Sequence, residues 1–203
     1  MLRAAFVAKA VPVSRGRVPV LLSVMVLTLL AAATPLLLLA QTSGVQITWV
    51  GQACFIIQEA GSDAIGPIVI TDPPNAAQGY DLPTLPADVV TVSHTHQDHS
   101  NVAAMRGNFT LVDGRPISAR TEVAASGMNF VMIPGFHDTT SGSVRGPNTI
   151  VRWTQGGIRF AHFGDYGQER LTDTQLAEIG SVDVIFVPAG GGPTIDIAEW
   201  IRW

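Results

Sequence analysis

The sequence has very little cysteine and, beyond its first 40 residues, little positive charge. Cys54 is the only cysteine, so the chain cannot form an intramolecular disulfide. Lys9 is the only lysine, and beyond residue 40 eight arginines are outnumbered by sixteen acidic residues, a net charge of −8. Proteins that bind nucleic acid normally carry a basic surface, so this composition argues against that class. Charged residues make up 14% and apolar residues 47% of the chain, which argues against disorder.

Charge is also absent from the apolar segment 18–40, which follows four basic residues. A basic leader before an apolar run is typical of an export signal or a membrane anchor, and a buried core helix is the alternative. Pro19 and Pro35 shorten the apolar core to nearer the length of a signal peptide than of a membrane span. We therefore expect residues 1–40 to be a signal peptide or membrane anchor. The domain 41–203 is then exported to the periplasm or the extracellular space, or anchored outside the cytoplasm.

Short runs rich in β-branched residues recur along the domain, separated by Gly, Pro, Asn and Asp. They predict strands at residues 46–50, 54–58, 67–72, 88–94, 129–135, 148–154, 157–164 and 183–190. The stretch WTQGGI predicts a hairpin turn between the sixth and seventh of these strands. Helix signals predict helices at residues 100–106, 172–179 and 194–203. Several strands are apolar throughout, which indicates burial on both faces under covering helices, so the fold class is a layered α/β sandwich.

Three of the five histidines lie within residues 94–99, which read HTHQDH. His94 and His96 are two apart at the end of a predicted strand, so both side chains project to the same side. Two neutral imidazoles in that arrangement suit a metal ion such as zinc. Asp98 and His99 follow as the chain turns and can face a second position beside the first. A lone histidine is more often a core residue, but this cluster predicts a metal site.

The remaining histidines and two further aspartates also stand where predicted strands end. His137 follows the strand 129–135, while His162 and Asp165 lie near the end of the strand 157–164. Asp72 ends the run PIVITD. Sites in layered α/β folds collect at strand ends in this way, so we expect these side chains to surround the same centre.

The motif HTHQDH matches the H-x-H-x-D-H signature of the metallo-β-lactamase fold superfamily. The flanking stretches resemble the ascorbate-lactonase-like branch of its zinc-dependent hydrolases. These stretches are ITWVGQACFII (47–57), VITDPP (69–74), ADVVTVSHTHQDH (87–99), HFGDYG (162–167) and VDVIFVPAGG (182–191). The resemblance covers residues 46–203 and implies a four-layer αββα sandwich with the metals at one edge.

The resemblance also implies one or two zinc ions, with Mn²⁺ or Fe²⁺ as alternatives, held by histidine and aspartate. Carried over by position, the ligands are His94, His96 and His137 for the first metal and Asp98, His99 and a bridging Asp165 for the second. Asp98 and Asp165 are then also the catalytic candidates, because they would orient the attacking water. Asp72 matches an aspartate that orients a ligand histidine. His162 has no ligand role in the family and is expected to support the site or the core.

Two positions depart from the family pattern. Gln52 stands where this branch commonly has histidine. The family also has a further ligand histidine near its C-terminus, whereas no histidine follows His162 here. We therefore expect either a C-terminally truncated domain or an incomplete second metal position.

Together these features predict a metal-dependent hydrolase that uses a zinc-activated hydroxide on a small ester, lactone, amide or phosphodiester. The alternative is a catalytically impaired or non-catalytic metal-binding relative. A covalent nucleophile is not expected, because Cys54 lies in an apolar run and no G-x-S-x-G segment is present. The loop PAGGGP (188–193) lacks the lysine of a phosphate-binding loop and more plausibly allows close backbone approach to the site. The expected partner is a small-molecule substrate, with no nucleic acid and no membrane contact beyond the N-terminal segment.

Overall fold

A computed structural model describes residues 44–60, 66–82, 84–115 and 117–190, together with residues 192, 194–196 and 198. The expected leader, residues 1–40, and most of the helix predicted at 194–203 lie outside these described residues. Among the described helices, none combines the length and the apolar character needed to cross a bilayer.

The described chain forms two five-stranded sheets. The strands of the first sheet, in both chain and spatial order, are β1 (Gly44–Gly51), β2 (Cys54–Ala60), β3 (Ile68–Thr71), β4 (Val89–Val92) and β5 (Thr110–Asp113). Those of the second sheet are β6 (Thr121–Ala125), β7 (Met128–Phe136), β8 (Pro147–Gln155), β9 (Ile158–His162) and β10 (Val184–Phe186), and β10 and β6 are its edges. Strands β3, β4 and β5 are parallel to one another, and so are β9 and β10.

The main core lies between the two sheets because alternate residues of the central strands face inward. Phe130, Trp153 and Phe160 are buried there, and the ring of Trp153 stacks on Phe160 at a centroid distance of 5.1 Å. The first sheet contributes aliphatic residues such as Ile57 and Val89. The predicted hairpin is confirmed, since Gln155 pairs with Ile158 across two glycines with positive φ.

A short helix, α1 (Asp173–Ile179), covers the outer face of the second sheet. Thr172 and Gln175 form a capping box at its start, as the sequence signal for 172–179 predicts. Ile179 packs into an outer cluster that includes Val131 and Ile150. The two β layers and one helical layer are therefore present in the described residues, which agrees with a metallo-β-lactamase fold. The full four-layer αββα arrangement stays a prediction.

The helix predicted at residues 100–106 is wrong. The chain there makes only a 3-10 turn, Val102–Ala104, and no side chain caps it at Asn101. Ser100, the expected cap, instead donates its hydroxyl hydrogen bond to His96 O at 2.9 Å. Val102 and Met105 still cover apolar residues on the outer face of the first sheet.

Candidate metal centre

The loop that follows β4 carries three of the predicted ligands close together. The ring of His94 lies 4.7 Å from that of His96 and 4.4 Å from that of His99, measured between centroids. His94 and His99 are buried, while His96 is partly exposed. The loop is tight because His99 N–H bonds to His96 O at 3.0 Å. The spacing in HTHQDH therefore places three imidazoles on one short turn.

His137 comes to the same place from the second sheet. It follows the last residue of β7, and its ring centroid lies 5.0 Å from His94 and 4.9 Å from His96. One ring nitrogen from each of these three residues lies within 4.8 Å of the others. Residues 43 positions apart in sequence thus converge on one point, and that distance is compatible with a single ion between them.

Asp165 lies among the histidines from both sheets. Its Oδ2 is 3.1 Å from His137 Nε2, 3.3 Å from His99 Nε2 and 4.0 Å from His94 Nε2. Burial favours the neutral acid, but the hydrogen bonds from His137 and His99 prevail and hold the pKa of Asp165 well below its usual range. Asp98 Oδ2 lies 3.7 Å from His99 Nε2 on the more exposed side. The six predicted ligands are therefore brought together.

The backbone around Asp165 explains the pattern HFGDYG. Gly164 has φ 55°, and a Cβ there would lie 2.4 Å from Ser93 Oγ. A Cβ on Gly167 would lie 2.5 Å from the carbonyl carbon of His137. Glycine at 164 thus lets Asp165 approach the loop of the first sheet, and glycine at 167 lets the same turn lie against His137. Asn148 holds this turn by accepting from Asp165 N–H at 3.0 Å and donating to Phe163 O at 2.8 Å.

Behind the histidines lies a fully buried carboxylate, Asp72. Its Oδ1 accepts from Ser93 N–H at 2.7 Å, and its Oδ2 accepts from Ser93 Oγ–H at 2.5 Å and from His99 Nδ1–H at 3.0 Å. Because the Ser93 hydroxyl donates to Asp72, it accepts from His94 Nδ1–H at 2.9 Å. Asp72 and Ser93 together hold both rings with Nε2 directed away from them. Ser93 and Asn148 are the supporting residues that sequence reasoning missed.

The ionisation of the rings suits a metal ion. Burial lowers the pKa of His94 to about 4, so its imidazole is neutral and its Nε2 carries a lone pair. His94 Nε2 and His137 Nδ1 are buried and make no hydrogen bond among the described residues. Such unpaired buried nitrogens are costly unless something binds them. Burial disfavours a charged His99, yet hydrogen bonds to Asp165 and Asp72 raise its pKa to about 10, because these two carboxylates favour positive charge at this point. A metal ion bound at His99 Nε2 would replace the proton there and meet the same carboxylates. The donor set therefore fits a divalent ion.

The loop after His137 is closed by one carboxylate. Asp138 Oδ1 accepts from Thr140 N–H and Gly142 N–H, each at 2.8 Å, and Oδ2 accepts from Arg145 N–H at 2.7 Å. Burial raises the pKa of Asp138, but these hydrogen bonds outweigh it and the pKa lies below its usual value. Asp138 therefore fixes the chain immediately beyond a candidate ligand.

His162 lies beside the centre and has no free ring nitrogen. Its Nε2–H donates to Ala53 O at 2.8 Å, and its Nδ1 accepts from Gly164 N–H at 3.2 Å. Burial lowers its pKa, so the ring is neutral. The structure therefore uses His162 to tie the turn between β1 and β2 to the turn that carries Asp165. Cys54 is fully buried, and burial raises its pKa to about 12, which leaves it unreactive as a thiol nucleophile.

Comparison of the chain with known proteins identifies its family. The family model described as a Beta-lactamase superfamily domain matches residues 46–203. A UPF0173 metal-dependent hydrolase of Carboxydothermus hydrogenoformans is 30% identical over 181 residues, covering 77% of each chain. A protein of the same name from Pyrococcus horikoshii is 24% identical over 178 residues, covering 76% of each. The metallo-beta-lactamase fold protein YhfI from Bacillus subtilis is 12% identical and covers 72% of this chain and 68% of its own, with a TM-score of 0.43.

Proposed function

The chain belongs to the metallo-β-lactamase superfamily, and from that premise we propose that it is a zinc-dependent hydrolase of a small ester, lactone, amide or phosphodiester. One observation carries the proposal. Three imidazoles reached from two sheets, His94, His96 and His137, converge beside Asp165, and two buried ring nitrogens among them make no hydrogen bond to any described residue. Relatives named metal-dependent hydrolases support the reaction type.

His94, His96 and His137 would hold the first ion, and Asp98, His99 and Asp165 would hold a second beside it. Bound there, a divalent ion supplies Lewis acidity and lowers the pKa of water from 15.7 to about 7. Manganese or ferrous iron would suit the same ligands, although three imidazoles favour zinc. Asp72 and Ser93 would keep the rings of His99 and His94 in the orientation that this requires.

The carboxylates of the chain have their own part in hydrolysis. Asp165 remains ionised because its pKa is held low, so it can accept a hydrogen bond from the attacking water and orient it. Asp98 and Asp165 both line a cavity beside the histidines, so a substrate in that cavity would reach both carboxylates. No side-chain nucleophile takes part in this route, and water adds directly across the scissile bond.

Turnover before and after metal exchange tests the proposal. The protein is purified, its metal content is measured, and its activity is followed on generic esters, lactones, amides and phosphodiesters. Chelation should abolish activity, and zinc should restore it more fully than Mn²⁺ or Fe²⁺. The matched control is Cys54→Ser, which should remain metal-dependent. Activity that survives complete metal removal would contradict the proposal.

A non-catalytic metal-binding relative is the second candidate. Among the described residues the second position has three side chains, Asp98, His99 and Asp165. This candidate predicts about one equivalent of tightly bound metal and no turnover on any substrate in the panel. The hydrolase predicts turnover from the same preparation.

The N-terminal segment supports a proposal about location. We propose that residues 1–40 direct export or anchoring of the domain 41–203, because four basic residues precede an uncharged apolar run. Fusing residues 1–40 to a reporter enzyme that is active only outside the cytoplasm should give activity. Replacing the four basic residues with neutral ones should reduce the reporter activity. Retention of the original fusion in the cytoplasm would contradict the proposal.

A further inference from the structure

A cavity of about 470 Å³ opens beside the candidate metal centre, at the end of the sandwich where β2 begins and β10 ends. This volume lies within the range of small-molecule sites. Asp98 and Asp165 are among its lining residues, so a molecule bound in the cavity would touch the candidate ligands. The remaining wall therefore contacts the parts of the substrate that do not react.

That wall is aromatic and aliphatic. Phe55 and Phe186 lie with ring centroids 4.3 Å apart, and Val187 and Pro188 extend the same surface. The ring of His162 also lines the cavity, but both its nitrogens are already hydrogen-bonded inside the protein. It therefore presents a neutral face.

Trp49 is 61% exposed and lines the same cavity. Its indole is nevertheless held in place, since Nε1–H donates to Gln52 O at 2.9 Å and the ring meets Tyr80 edge-on at 6.0 Å. A large aromatic surface that is both exposed and fixed is a binding surface for apolar groups, because little conformational entropy is lost on contact.

The described residues that line this cavity include no arginine or lysine, and the acidic side chains among them are Asp98 and Asp165. Gln52, which also lines the cavity, is uncharged. An anionic group on the distal part of a substrate would lose hydration without gaining a cationic partner among the described lining residues.

On these grounds, and resting on the proposed hydrolase function, we infer that the substrate is an uncharged ester or lactone with an apolar acyl group that lies against Trp49, Phe55 and Phe186. Phosphorylated or carboxylated substrates are selected against because the described lining residues supply no cation. In the reaction, water adds across the acyl C–O bond, releasing a carboxylic acid and an alcohol from an ester, or a single hydroxy acid from a lactone.

Two chromogenic esters with one leaving group test the charge rule. The zinc-loaded protein is assayed with p-nitrophenyl hexanoate and with the p-nitrophenyl monoester of adipic acid, which has the same acyl length and ends in a carboxylate. The kcat/KM should favour the hexanoate by at least about tenfold, mainly through KM, and bis-p-nitrophenyl phosphate should be slower still. Equal kcat/KM for the two esters, or preference for the adipate, would overturn the inference.

Two variants assign the effect to the wall. Trp49→Ala should raise KM for the hexanoate about threefold to tenfold and leave kcat nearly unchanged. The kcat/KM for p-nitrophenyl acetate, whose acyl group is too short to need the wall, should also change little. Val144→Ala, which truncates a 74% exposed apolar residue outside the described lining of the cavity, is its control. Gln52→Lys should raise kcat/KM for the adipate several-fold. Failure of both Trp49→Ala and Gln52→Lys to alter the ratio of the two esters would count against the assignment.

Binding without turnover separates this inference from the hydrolase proposal. Quenching of tryptophan fluorescence is measured with hexanamide and with adipamate, and Trp49→Phe identifies the responding residue. Tighter binding of hexanamide with no turnover of any ester would reject the hydrolase and retain the apolar pocket. Turnover with equal binding of both amides would retain the hydrolase and reject the pocket assignment.

Discussion

Replacing Ser93 with alanine tests the support behind the metal centre. The hydroxyl donates to the ionised, fully buried Asp72 and accepts from His94 Nδ1–H. Loss of a hydrogen bond to a charged group costs about 1.5–3 kcal/mol, and an unpaired buried N–H adds about 1–3 kcal/mol. Asp72 keeps its hydrogen bonds from Ser93 N–H and His99, which offsets part of the loss. We therefore expect unfolding to become easier by about 2–4 kcal/mol.

The same change should also loosen the metal. Partners that orient a ligand histidine typically contribute tenfold to 100-fold in metal affinity, so the Kd of the first ion should rise by about that factor. Zinc affinity is measured by competition with a chromophoric chelator, and stability by urea unfolding of the metal-free protein.

Thr91→Val is the matched control for Ser93→Ala. Thr91 lies two residues earlier, on β4, is equally buried, and its Oγ1 makes no hydrogen bond among the described residues. Its replacement should leave zinc affinity unchanged and stability unchanged or higher. If Ser93→Ala loses stability but binds zinc within about threefold of the original protein, the serine supports only the fold and not the ligand.

Four further outcomes are expected. His96→Ala should remove the ion held with His94 and His137 and abolish turnover, measured by metal analysis and rate; equal activity would contradict the mechanism. Asp165→Ala should lower kcat at least about 100-fold while the thermal midpoint changes much less, because the side chain is partly exposed. Cys54→Ser should destabilise the apolar cluster by about 1–3 kcal/mol yet leave kcat per bound metal unchanged. The stabilising effect of Asp138, whose pKa is lowered on folding, is present above the ordinary aspartate pKa and is lost as pH falls. The original protein and the Asp138→Asn variant should therefore differ less in unfolding free energy at acidic pH than at neutral pH.

The sequence predicted those parts of the fold that depend on a few neighbouring residues. The hairpin between β8 and β9 follows from alternating apolar residues around two glycines, and α1 follows from its capping box. Strands β5 and β6 were missed because each is short and carries polar residues, as TEVAA in β6 shows. The segment 100–106 has a helical sequence pattern, but the Ser100 hydroxyl donates to His96 O in the histidine loop and does not cap a helix. Only one 3-10 turn forms there.

For the site, residue type and spacing were sufficient to identify the ligand candidates, because clustered histidines have few structural uses. They were insufficient for Ser93 and Asn148, which are common residue types whose importance arises only from contacts made after folding. Asn148 reaches a residue 17 positions away, and Ser93 reaches one 21 positions away. The lining of the cavity could not be predicted from sequence either, since Trp49 and Phe186 come to line one cavity only when the two sheets pack.

The division of the candidate ligands between two sheets has a consequence for folding. His94, His96 and His99 follow a strand of one sheet, whereas His137 and Asp165 follow strands of the other. An ion shared among them would cross-link the two sheets. Metal binding would therefore stabilise the packing of the sheets, and the packing of the sheets would strengthen metal binding. At a free concentration 100 times its Kd, such an ion would add about 2.7 kcal/mol to the stability of the native state. Removal of the metal would then lower the stability of the fold as well as abolish catalysis.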